Sequence, residues 1–383
     1  MNKRHAQRLL GGLPVEEFLS DFWHRKPLFV KHALDPARLS IAPDELLSLA
    51  AREDVESRVV SQARGQWSLK HGPIDTWPRA RRDWTLLVQG VDLHDTRAEH
   101  VLDDFRWLPA ARLDDIMISH AVDGGGVGPH FDSYDVFLLQ ASGTRRWRIS
   151  MQRDLSLVEG VPLKILANFK PTHEFVCEPG DLLYLPPHCA HEGVAIGPCT
   201  TWSVGFRAPS HDELLRNFYD FAADTLEISG RYADAGLKWS ANPARIPEKL
   251  LSELDQLIDM HTPNRAMREC FLGEYLSAPK ASVIFTPPVR ALAIERWLKK
   301  AEHDGIRLDA RTRMLHDRRH VFINGDSLIA TSVEGRVLRK LADARRLSAL
   351  DVTQAPSNVR ELLHCWYTDG WLHTDHPTRS YST

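Results

Sequence analysis

The stretch Gly124-Gly125-Gly126-Val127-Gly128-Pro129-His130-Phe131-Asp132 decides how this chain is read. Its glycines let the backbone bend tightly and approach a ligand closely, and they lead into an imidazole and a carboxylate two residues apart. On a strand, alternate side chains share a face, so His130 and Asp132 point the same way at a separation that suits one metal ion. The tripeptide is cheap, because about one H-x-D is expected by chance in a chain of this composition. A second does occur, at His373-Thr374-Asp375. No later strand follows to complete a site there, and it reads as a decoy.

Downstream of the first copy, Glu178-Pro179-Gly180-Asp181 makes a turn into a strand from Leu182 to Leu185, which Pro186 and Pro187 stop. His191 opens the next strand. Period two puts His191, Gly193 and Ala195 on one face, where small neighbours leave room for a bound molecule. His191 follows Asp132 by 59 residues. Two imidazoles and one carboxylate form the facial set that suits non-haem Fe(II) and leaves coordination positions open. His188, in an expected loop, and His173, before the turn, compete for third place, and Cys189 is the soft-ligand alternative.

The segment Gln140-Ala141-Ser142-Gly143-Thr144 reads as a hairpin turn into Arg145-Arg146-Trp147-Arg148-Ile149. Alternation groups Arg145 with Trp147 and Ile149 and sends Arg146 and Arg148 to the opposite, wet face. A buried guanidinium needs an anion, and a charge-assisted bond to a carboxylate contributes roughly 1.5 to 3 kcal/mol. A cosubstrate offering one carboxylate to Arg145 and an oxo acid to the iron is 2-oxoglutarate. Thr201, Ser203 and Gly205 alternate as a small polar face that lines the same expected cavity.

Around this centre the chain runs to 383 residues with 26% charged and 43% hydrophobic residues, ample for two or three domains. No apolar stretch approaches the roughly 18 residues of a membrane span, so a membrane protein is excluded. The start lacks an export signal, and five cysteines fit reduced thiols better than a disulfide framework; the expected location is the cytoplasm. Short helices are expected over Val15–Trp23 and Asp44–Ala51, and a β texture from about Gln66 to Phe206. A helix behind the cap Ser210 and another over Glu248–Met260 follow, suggesting packing against a second subunit. After Pro287 and Pro288 come a helix through Trp297, a hairpin turning at Asn324-Gly325, and helices over Leu338–Leu347 and Val359–Trp366. From Pro279 onward 17 Lys and Arg stand against 12 Asp and Glu, a balance of +5 that leaves −8 for the rest. An acidic front suits a basic substrate, with Asp114, Asp115 and Asp123 as candidate cation partners, and a basic rear leaves nucleic-acid contact open through Arg311, Arg313, Arg318 and Arg319.

Taken with Trp23-His24-Arg25-Lys26-Pro27, Ser57-Arg58-Val59-Val60, Gly143 to Trp147 and His191-Glu192-Gly193, these motifs resemble the Jumonji-C ribosomal oxygenases. The nearest likeness is the bacterial branch that hydroxylates an arginine of large-subunit ribosomal protein L-sixteen. The resemblance implies a mainly β catalytic domain, a double-stranded β-helix of the cupin or jelly-roll sort, over residues 1–208. It further implies an all-α dimerisation region over 209–278, giving a homodimer, and a winged-helix-like α+β domain over 279–383. It implies Fe(II) at His130, Asp132 and His191, 2-oxoglutarate and O₂ as cosubstrates, 2-oxoglutarate held by Arg145, and Ser119 as a further pocket contact, to which the alternation of the later strand adds Ser203. Thr144 departs from the family, whose members often carry a basic residue there. Histidine hydroxylation or lysine demethylation by the same centre is the nearest rival, and a nucleic-acid-binding regulator with a silent cupin sensor is the rival from another class.

Overall fold

The computed structural model describes residues 3–330 and 333–375; the outer ends of the expected first and third domains lie outside them. Contacts divide the chain into two units, one of residues 1–208, 279–312 and 340–383, the other of 209–278 and 313–339.

The first unit is built on nine antiparallel strands: β1 (Leu28–Val30), β2 (Ser57–Ala63), β3 (Gln66–His71), β4 (Trp84–Val88), β5 (Leu113–Ala121), β6 (Val136–Ser150), β7 (His173–Cys177), β8 (Leu182–Leu185) and β9 (Ala190–Phe206). Their order is β1-β8-β6-β9-β5-β4-β2-β3, with β7 also on β6, and they make the expected double-stranded β-helix. The β texture begins earlier than Gln66, because β1 and β2 are short or half polar and their alternation is faint in sequence. Helices α1 (Lys3–Leu9), α2 (Val15–Asp21), α3 (Pro43–Ala50) and α4 (Thr96–Asp103) cover one face and bury Phe18, Leu46, Leu86, Phe137, Tyr184 and Trp202 against it.

The expected hairpin at Gln140–Thr144 does not form. β6 runs unbroken from Val136 to Ser150 beside β9, with its register shifting between Gln140 and Ser142 and again between Ser142 and Thr144. Gly143 takes φ +62°, and a Cβ there would lie 2.1 Å from the Pro198 carbonyl oxygen. Turn-forming residues on both strands therefore bend a pair instead of reversing a chain. The Gln140 side-chain amide donates to the Ser142 carbonyl at 2.9 Å and accepts from Thr201 Oγ1 at 3.0 Å, fixing the bend.

The Trp23-His24 segment has a structural role below the site. Asp135, fully buried, accepts from the Tyr184 hydroxyl at 2.6 Å and pairs with Arg112 at 3.3 Å and His24 at 3.2 Å. Arg112 also lies over the Trp23 ring. A buried carboxylate with this many partners ties the entry helices to the base of β6.

In the same unit, Ile306–Leu308 pairs with Arg346–Leu347 and Leu372–Thr374. Leu347, expected in a helix, is therefore in a strand. The decoy His373 donates from Nε2 to the Asp309 carboxylate at 2.8 Å, a local tie within this small sheet. The second unit holds α5 (His211–Thr225), capped by Ser210 accepting from the Glu213 amide, then α6 (Glu248–Met260) and α7 (Arg265–Ser277). The last of these was not anticipated, its hydrophobic face being interrupted by charge. Phe271 packs on Phe218 and Phe221, and α7 lies on the sheet of Met314–His316, His320–Ile323 and Asp326–Ile329, whose hairpin turns at Asn324-Gly325 as expected. Leu250, Leu251, Leu254 and Ile258 leave an apolar stripe exposed along α6.

Candidate metal and oxo-acid site

The stretch His130-Phe131-Asp132 is not in a strand. It is a loop between β5 and β6, held by a single bridge in which His130 and His191 exchange both backbone bonds, at 2.9 and 2.8 Å. The His188 amide donates to the Asp132 carbonyl at 2.7 Å. Backbone bonds from the β8–β9 connection thus do the work that strand alternation was expected to do. The glycines upstream meet protein more than ligand: a Cβ on Gly126 would lie 2.5 Å from the Gly193 carbonyl oxygen.

His130, Asp132 and His191 offer ligand atoms that all lie within 4.8 Å of one another, the one such group of three or more among the described residues. His130 Nδ1 lies 2.9 Å from the Gly128 carbonyl and His191 Nδ1 lies 2.9 Å from the Cys189 carbonyl. Each carbonyl accepts a ring proton on Nδ1 and so leaves the Nε2 lone pair for another partner, the arrangement found behind metal-bound imidazoles. His191 Nε2 is 3.7 Å from Asp132 Oδ2, beyond hydrogen-bond reach but right for two donors facing one ion. Burial, and then the neighbouring His130, push His191 down to about 4 against the pull of Asp132. It is neutral at ordinary pH, as a ligand must be. Two nitrogens and one carboxylate oxygen fit Fe(II). His173 and His188 are not in the group; His173 is on β7, and His188 sits in the connection at φ +61°.

Gly193 corrects another expectation. The space beside His191 is filled by Trp147, whose ring carbons would stand 2.6 Å from a Gly193 Cβ. A flat, buried ring cannot yield that distance, so Gly193→Ala is expected to lower stability by roughly 1 to 3 kcal/mol through overpacking, read as a fall in thermal midpoint together with weaker Fe(II) binding.

A cavity of about 430 Å³ opens from the three ligands and is lined by all six anticipated site residues, with Thr201 and Gly205 beside them. Arg145 is 5% exposed on β6, which settles its register: it shares the inner face with Trp147 and Ile149. Its Nη1 donates to Ser119 Oγ at 3.4 Å, and Ser119 in turn donates to the Thr201 carbonyl. Nε and Nη2 are buried with no hydrogen-bond partner among the described residues. Two unmet donors on a buried cation are costly, and a carboxylate answers both. Arg148, by contrast, is bound by Glu192 on the outer face.

β5 carries Asp115, Met117 and Ser119 to the cavity at two-residue steps. Ser119 stands at the Arg145 end and Asp115 four residues away, at the other. Asp123, also anticipated, is not there: it pairs with Arg82 and accepts from the Gly197 amide. Arg58, Tyr134 and Lys164 line the cavity too; Arg58 lay within a quoted motif, but single-residue signals assigned none of the three a role.

Residues 100–214 match the family model described as JmjC domain, and residues 258–373 match that described as ROXA-like winged helix. The chain is 35% identical over 278 residues to the ribosomal protein uL16 3-hydroxylase of Escherichia coli (strain K12), covering 71% of this chain and 74% of that one. It is 28% identical to a probable ribosomal oxygenase of Haemophilus influenzae, over 93% of this chain and 95% of that one. Its fold matches the structure of the Escherichia coli ribosomal oxygenase YcfD in complex with cobalt and 2-oxoglutarate, with a TM-score of 0.80 at 30% identity over 94% of this chain and 98% of that one. No helix among the described residues is long and apolar enough to cross a membrane.

Proposed function

Because the chain belongs to the JmjC-domain ribosomal oxygenases, we propose that it is an Fe(II)- and 2-oxoglutarate-dependent hydroxylase of an arginine side chain in ribosomal protein uL16. The observation that carries this reading is one cavity joining a complete two-histidine, one-aspartate set to a buried, under-bonded arginine. His130, Asp132 and His191 hold the iron, and Arg145 with Ser119 receives the far carboxylate of 2-oxoglutarate. Bound iron with 2-oxoglutarate and O₂ supplies C–H hydroxylation coupled to release of succinate and CO₂.

The chain's own groups do the positioning. The Gly128 and Cys189 carbonyls keep both imidazoles aimed, Trp147 walls off water beside His191, and Ser203 and Thr201 floor the cavity. Asp115 at the far end, with Asp114 beside it, takes the cationic head of the substrate side chain. A demethylase or histidyl hydroxylase would use the same three ligands; a buried carboxylate in the cavity favours a side chain with a permanent charge at its tip over a histidine, and the product on the substrate separates arginine from methylated lysine. A silent sensor has no need of the full ligand set. The helical region, 209–278, with its exposed apolar stripe on α6, serves self-association into a homodimer, and the enzyme works in the cytoplasm beside its ribosomal substrate.

The test is mass spectrometry of uL16 after incubation with the protein, Fe(II) and 2-oxoglutarate. A gain of one oxygen atom on an arginine is expected; the gain on a histidine, or loss of a methyl group from a lysine, would overturn the assignment.

A further inference from the structure

We propose that Ile165 and Leu166 are positioning residues of the metal site: from outside the cavity they hold the Gly128-Pro129 segment, whose first carbonyl aims His130. The inference rests on the reading of His130, Asp132 and His191 as iron ligands.

The two imidazoles are aimed by carbonyls of unequal support. Cys189 belongs to a buried cluster with Trp147, Leu183 and Leu185, and its amide donates to the Pro186 carbonyl at 3.2 Å. Gly128 has φ +78° and follows Gly124, Gly125 and Gly126. It has no side chain to anchor it, and glycine backbone loses the most conformational freedom when fixed. Backbone bonds tie this stretch from the Gly124 amide to the Ala195 carbonyl at 3.0 Å and from the Gly125 amide to the Val122 carbonyl at 2.8 Å, and take hold again at His130. Between those ties lies the carbonyl that accepts the His130 ring proton.

What holds it comes from the loop between β6 and β7. There Leu157 and Leu166 form an isolated bridge, with the Val158 amide donating to the Ile165 carbonyl at 2.8 Å and the Ala167 amide to the Ser156 carbonyl at 2.9 Å. At its root Asn168 Nδ2 donates to Asp154 Oδ2 at 3.0 Å, and the Lys170 amide to Gln152 Oε1 at 2.9 Å. The loop is a strap braced by its own bonds. Its outgoing half leaves Leu157 and Val158 39% and 40% exposed, whereas Ile165 and Leu166 on the returning half are 6% and 3% exposed.

The returning half reaches the metal side. The Leu166 amide donates to the Pro129 carbonyl at 2.8 Å, one residue before His130. A Cβ on Gly128 would lie 2.6 Å from Ile165 Cδ1 and 2.8 Å from Trp67 Cζ2. Gly128 is therefore pressed between an aliphatic tip and the edge of a ring. Leu163 and Lys164 line the cavity while Ile165 and Leu166 do not, so the grip on Gly128 can be altered without changing the cavity wall. Truncating Ile165 opens space over Gly128, lets its carbonyl swing, and releases the imidazole from its aim. Partners that orient a ligand in this way change metal affinity by about ten- to a hundredfold when lost.

The test is calorimetric titration of the full-length protein with Co(II), a readout that needs no turnover. Ile165→Ala stands one step behind the orienting carbonyl and is expected to weaken binding about five- to tenfold. Ile165→Leu, which keeps a δ carbon for Gly128, should bind as the parent does. Ile165→Val removes only the Cδ1 methyl and reads the same quantity, at about two- to threefold, if the alanine variant does not fold. Val30→Ala, a truncation in the core on β1, should lower the thermal midpoint and leave Co(II) affinity alone. In a His130→Ala background, Ile165→Ala should cost no further affinity, because the two act as one unit. A folded Ile165→Ala or Ile165→Val protein with the parent's affinity, or an equal loss with and without His130, overturns the inference. A parent protein that takes up no Co(II), or an Asp132→Ala variant that binds it as tightly as the parent, sinks the metal reading underneath instead.

Discussion

Replacing Asp132 with alanine is expected to abolish succinate release from 2-oxoglutarate and hydroxylation of uL16 together. His130 and His191 would remain, each still oriented by a backbone carbonyl, but the site would lose its only anionic ligand and one corner of the facial set. The ion contributes several kcal/mol of charge stabilisation, so turnover should fall by at least about three orders of magnitude. Calorimetry should show Fe(II) affinity falling with it. The thermal midpoint without metal should move little, because Asp132 is partly exposed and its backbone carbonyl, not its side chain, carries the bond from His188. Normal turnover by the alanine variant would remove the metal assignment.

The second large effect concerns Arg145. Arg145→Met keeps the length of the side chain and removes the guanidinium. Loss of a charge-assisted carboxylate bond of roughly 1.5 to 3 kcal/mol raises KM for 2-oxoglutarate by about ten- to 150-fold. Stability should hold or rise, because two buried donors with no partner disappear with the charge. This pairing of outcomes separates an anion anchor from a packing residue, whose loss would lower the melting point and leave KM for the oxo acid alone. Ser119, whose hydroxyl is 3.4 Å from Arg145, holds the guanidinium in line, and its loss should cost much less.

Much of the site was legible in the sequence because its residues are chemically unusual where they stand. A histidine and aspartate behind four glycines and a proline, a histidine four residues past a double proline, and one arginine in phase with Trp147 and Ile149 carry their chemistry in their spacing. The local structure around them was not legible. Ser142 and Gly143 carry turn signals, yet β6 passes straight through, because Gly197-Pro198 bend β9 at the same level. His130 and Asp132 share a site without sharing a strand, since the bridge to His191 lies across the fold. Gly193 reads as empty space until Trp147 is placed on it.

The unbroken pairing of β6 with β9 has one more consequence. Arg145 sits opposite Ala195 and Ile149 opposite His191, so the proposed anion anchor and the proposed last metal ligand are fixed on two adjoining rails by covalent repeat and ladder register, with no loop between them to stretch. The pair behaves as a caliper. On the proposed reading, a diacid one methylene longer or shorter than 2-oxoglutarate meets two side chains whose strands cannot slide past each other, and it is expected to bind more weakly.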